Sequence, residues 1–127
     1  MRTIRLALLA VAASALVAFS AATFGVFRNE TDSTVTVTIV NTRGESSPAH
    51  VIQPHDMARF PVTNGTAIAR TTSGKALARC NLMPLPVARE YYDFPSRSFY
   101  YRITRARIQL VRPEDGREWS RSGLTNR

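Results

Sequence analysis

The chain is short of the residues that staple or power small proteins. It holds a single cysteine, Cys80, so no intramolecular disulfide can form. It has two histidines, His50 and His55, and one lysine, Lys75. No G-x-S-x-G elbow, phosphate-binding glycine loop or zincin helix occurs. Two histidines without a third, and without a Cys-x-x-Cys pair, fall short of a metal-ligand set. No metal or cofactor is therefore implied, and His50 and His55 are the only histidines available to catalysis. Helical periodicity is almost absent after residue 28.

What is present begins with an export address. Arg2 and Arg5 precede an uncharged run of Leu, Ala, Val and Phe from Leu6 to Phe19, the length of a signal-peptide apolar region. Ser20 and Ala22 then stand at the −3 and −1 positions that signal peptidase reads, so cleavage is expected after Ala22. No cysteine follows closely, which excludes a lipoprotein signal. An uncleaved anchor is the rival reading, because Leu6 to Phe27 is uncharged for 22 residues and long enough to span a bilayer. The expectation is a periplasmic or extracellular protein, touching membrane only if that segment stays attached. Its divisions are a signal peptide at 1–22, a β-sandwich domain at 23–112 and a polar C-terminal tail at 113–127.

Removing Arg2 and Arg5 leaves 15 basic against 9 acidic residues, a net charge of +6. Fourteen of those 15 are arginine, an Arg/Ala-rich bias associated with GC-rich bacterial genomes. The charges are scattered, so they form no basic arm, yet they favour acidic partners at long range. Cys80 has neither Lys nor His beside it, and on a strand Arg79 points the opposite way. It reads as a small buried hydrophobe.

The fold class is all-β. Thr34 to Ile39 alternates strictly, placing Val35, Val37 and Ile39 on one face and three threonines on the other. Phe24–Asn29 is a preceding strand, and Asn41–Pro48 is a loop by composition. His50–Ile52 runs into Gln53-Pro-His-Asp56, where Pro54 presets a turn's second position. Ala58, Phe60 and Val62 alternate into a strand that Pro61 confines to an edge. Asn64-Gly65 and Ser73-Gly74 are turns bracketing a strand at Thr66–Thr72, Lys75–Asn81 follows as a further strand, and Met83–Pro86 is an extended crossing segment. The whole suggests a small antiparallel β-sandwich of about seven strands, immunoglobulin-like in general shape.

Six of the eleven aromatics fall between Glu90 and Ile103. A hairpin with Pro95–Ser98 as its loop sends Tyr92, Phe94, Phe99, Tyr101 and Ile103 to the core. Tyr91, Asp93, Tyr100 and Arg102 are left outside, with Arg102 placed for a cation–π contact. A phase change near Thr104–Arg105 marks a bulge or a junction of two strands. Arg102, Arg105, Arg107 and Arg112 then form a basic stripe.

The candidate binding residues are thus Tyr91, Tyr100, Arg102, Arg105 and Arg107. The expected function is non-catalytic binding of another protein or a cell-envelope component. The alternatives are an acidic polymer held by the arginines, or a small hydrolase using His50 or His55. Asn29-Glu-Thr31 and Asn64-Gly-Thr66 also match the N-glycosylation pattern, which matters only in a eukaryotic source.

Overall fold

The computed structural model describes residues 23–82 and 89–125, with the helical side chains given as far as Trp119. The expected signal segment at 1–22 and the crossing segment Met83–Pro86 lie outside the described residues. Eight strands are described: β1 (Phe24–Asn29), β2 (Val35–Asn41), β3 (His50–Ile52), β4 (Met57–Pro61), β5 (Gly65–Thr71), β6 (Ala76–Leu82), β7 (Ser98–Ile103) and β8 (Ile108–Val111). A helical turn of the 3-10 type at Arg89–Tyr91 and an α-helix, α1 (Pro113–Thr125), complete the set.

The strands make two four-stranded sheets, β4-β1-β7-β8 and β3-β2-β5-β6. The second is antiparallel throughout. The first is mixed, because β1 runs parallel to β7, with Phe27 opposite Tyr101 and Arg28 opposite Arg102. The expectation of a wholly antiparallel arrangement fails at this pair. β4 is an edge strand, as Pro61 requires, since a proline has no N–H to give to an outer neighbour.

One core lies between the sheets. Val35, Val37 and Ile39 of β2 point into it with Ala67 and Ala69 of β5, and meet Phe27, Phe99, Tyr101 and Ile103 of the first sheet. Phe27 is stacked between Phe60 (4.9 Å) and Tyr101 (4.7 Å), and His50 caps the row at 3.7 Å from Phe60. Burying one such ring contributes about 1.5–3 kcal/mol, so this ladder dominates the packing. Burial pushes the Tyr101 phenol up and the His50 imidazole down.

The first sheet is covered on its outer face as well. Val26, Tyr100, Val111 and Trp119 form a second, smaller core, with Trp119 supplied by α1. Residues 113–125, expected to be a polar tail, are this helix. Pro113 opens it, where a missing N–H costs nothing, and Glu114 and Asp115 complement the positive end of the helix dipole. Gly116 lies directly on the Tyr100 ring: a β-carbon there would stand 2.0 Å from Tyr100 Cγ. No other residue lets the helix approach so closely.

Candidate functional site

The turn Gln53–Asp56 closes as its proline dictates, with Asp56 N donating to Gln53 O at 3.1 Å and His55 at φ +60°. Pro at the second position with a left-handed third residue is a type II turn. It is sewn to the end of β1, since Asn29 N donates to Asp56 O and His55 N to Asn29 O. The fully buried Asn29 side chain completes the joint. Its Nδ2 donates to Ser33 O (2.7 Å) and Ile52 O (3.0 Å), and its Oδ1 accepts from Thr31 N and Thr31 Oγ1. The glycosylation pattern at Asn29 is thereby occluded in the folded chain, because both amide donors are engaged inside the protein.

This joint holds His55 at the lip of an open groove of about 610 Å3 between the first sheet and α1. One wall is the sheet, with Arg28 and Arg102 and with Glu30 just past the end of β1; the other is the helix, with Glu114, Asp115 and Glu118. Trp119 also lines the groove. Arg28 and Arg102 are register partners on β1 and β7, and each guanidinium carbon lies 5.9 Å from the Trp119 ring centroid. Arg102 Nε donates to Glu30 Oε2 at 2.7 Å, while Arg28 Nε is 3.9 Å from the same oxygen. The Trp119 π-face and Glu30 together hold the two cations side by side.

Beneath the helix lies a buried polar knot. Asp93, 3% exposed, accepts from Tyr100 Oη at 2.7 Å, Ser96 Oγ at 2.9 Å and Arg117 Nη2 at 3.0 Å. Burial alone drives the Asp93 carboxyl upward, but these donors and the Arg117 charge outweigh it, leaving the group below its ordinary range. The Tyr100 phenol is pushed up, first by burial and then by its bond to the carboxylate, with Ser96 acting in the opposite sense.

The sequence-predicted binding residues are dispersed. Tyr100 is 3% exposed under α1, so it offers no ligand surface. Tyr91 is half-buried against the main core, with Arg112 at 5.7 Å from its ring. Of these five, Arg102 alone lines the groove, with its Nε bonded to Glu30. Arg105 and Arg107 are exposed in the turn joining β7 to β8, so the phase change marks two strands meeting. His50 stacks on Phe60, whereas His55 Nε2 lies 3.0 Å from the exposed Asp32 carboxylate. Among the described residues no cluster of three or more His, Cys, Asp or Glu has metal-binding geometry, and no helix is long and apolar enough to cross a membrane. Cys80 is half-buried against the core, and burial pushes its thiol up.

The groove residues that sequence reasoning missed are Arg28, Glu30, Glu114, Asp115, Glu118 and Trp119. The legible signal was Pro113-Glu-Asp, a helix start ahead of a lone tryptophan.

Fold and groove together define a β-rich domain of two packed sheets with a helix on one of them. No family model matches the chain, and no curated protein matches it. One solved structure is similar, an NMR structure of a protein from Eubacterium rectale, at 16% identity and a TM-score of 0.43, covering 72% of this chain and 87% of that one.

Proposed function

We propose that this chain is an exported, non-catalytic β-sandwich domain, immunoglobulin-like in general shape, that binds a protein or envelope component through the groove between α1 and the first sheet. The observation that carries the reading is a groove of about 610 Å3 lined by two arginines, four carboxylates and a tryptophan. That size suits a ligand, and its lining is suited to recognition rather than to bond-breaking. Export is supported by the sequence itself, with Arg2 and Arg5 ahead of the uncharged Leu6–Phe19 run and Ser20 and Ala22 at the positions signal peptidase reads.

The test is capture of partners from the exported fraction by wild type and by an Arg28→Gln/Glu118→Gln double variant. Loss of a wild-type partner from the variant supports the reading, and identical partner sets dispose of the groove as the binding face. Mass spectrometry of the exported protein reads the cleavage directly, with Thr23 as the expected first residue.

Exposed Arg105 and Arg107 favour a second reading, in which the β7–β8 turn holds an acidic polymer. Such binding weakens steeply with salt and disappears in an Arg105→Ala/Arg107→Ala variant.

A further inference from the structure

The groove's two walls carry opposite charge, and they do not close on each other. Among the described residues, Glu114, Asp115 and Glu118 form no ion pair within 4.0 Å with Arg28 or Arg102. The sheet arginines use only their Nε positions toward Glu30, so their terminal nitrogens hydrogen-bond to no described residue. The helix dipole rationalises Glu114 and Asp115 in the first turn, but not Glu118 one turn later. Glu114 and Glu118 are four residues apart on one helix face, a like-charge spacing that costs a few tenths of a kcal/mol unless something positive lies beside it.

Resting on the groove reading above, we infer that the ligand is a short zwitterionic peptide. Its carboxylate meets the Arg28/Arg102 pair and its ammonium meets Glu114, Asp115 and Glu118. The space between the walls, about 610 Å3, lies within the range of sites for small ligands. A purely anionic ligand entering it meets four carboxylates, and a purely cationic one meets two guanidinium groups. Only a molecule carrying both signs satisfies both walls, and planar guanidinium forks are suited to a carboxylate.

Trp119 is the chain's single tryptophan and touches both arginines, so its fluorescence reports on the groove. The probes are four acetylated, amidated tripeptides: Lys-Ala-Glu and Glu-Ala-Lys as the zwitterions, Lys-Ala-Gln as the cation alone, and Gln-Ala-Glu as the anion alone. The expected result is a saturable emission change with a zwitterionic peptide, and binding at least about tenfold weaker for either singly charged one. Glu114→Gln/Glu118→Gln should abolish the preference over the anion, and Arg28→Gln the preference over the cation. Circular-dichroism melts confirm that these surface variants stay folded.

Equal binding by all the peptides, tightest binding by a singly charged one, or no saturable change at millimolar zwitterion overturns the inference. Partner capture separates this failure from failure of the parent reading. Groove-dependent capture without zwitterion preference removes only the ligand class, and groove-independent capture removes both.

Discussion

At the scale of single residues, Gly116 and Asn29 do work that composition hides. Helix propensity alone says Gly116→Ala should stabilise α1 by about 1 kcal/mol. The Tyr100 ring says otherwise, since a β-carbon 2.0 Å from its Cγ forces the helix off the sheet. Overpacking of this kind costs about 1–3 kcal/mol, so the steric effect wins. Gly116→Ala is expected to lower the denaturant midpoint, and an unchanged or raised midpoint would show that the helix does not rest on Tyr100. Asn29 is the converse case, a polar side chain whose removal strands its partners. Asn29→Ala leaves Ile52 O and Thr31 N without their buried bonds, for an expected loss on the order of 3 kcal/mol. Asn29→Asp keeps the shape but turns a carboxylate oxygen toward two carbonyls, so chemical denaturation should find it no better than alanine.

At the scale of elements, what the sequence made legible is a matter of periodicity. β2 alternates because one face is buried and the other is not, and Val35, Val37 and Ile39 lie where that pattern puts them. The aromatic segment misled because its turn is shifted by one residue. Asp93 bridges Ser98, so Phe94 to Arg97 form the turn and Phe94 stands 56% exposed instead of entering the core. Tyr92, Phe99, Tyr101 and Ile103 are buried as expected. Tyr100 is on the outer face, as alternation says, but that face is roofed by a helix whose polar sequence disguises it. Once helix and sheet enclose it, Asp93 becomes the pin between them. Its carboxyl lies below the usual range in the folded chain, so the bond to Arg117 stabilises the fold at neutral pH. That contribution is complete above the unfolded value of 3.8 and is lost as pH falls through the lower folded value. The stability gap between wild type and Asp93→Asn should therefore stay level at neutral pH and shrink on acidification below about pH 4. A gap that widens in acid would reverse the assignment.

For the whole molecule, stability has to come from enclosure, since one cysteine permits no internal staple. The mixed sheet is buried on both faces, by the second sheet on one side and by α1 on the other. Three layers give a chain of this length a main core and a satellite core, where two would leave Val26, Tyr100 and Val111 open to water. Cys80 belongs to that enclosure, packed against the main core beside Ala78 and Leu82 on an inward-facing register. A reductant should accordingly leave the thermal midpoint unchanged, even for protein recovered from an oxidising compartment. Reactivity toward a thiol reagent follows from the same placement. Only the thiolate attacks, and burial raises the Cys80 pKa above its ordinary value of 9.0, so the reactive fraction at pH 8 falls below that of a free thiol. Labelling should be slow at pH 8, keep accelerating above pH 9, and become fast at every pH once denaturant opens the sheets. Fast labelling of the native protein at pH 8 would mean that the β6 edge is open and that Cys80 is available for pairing between chains.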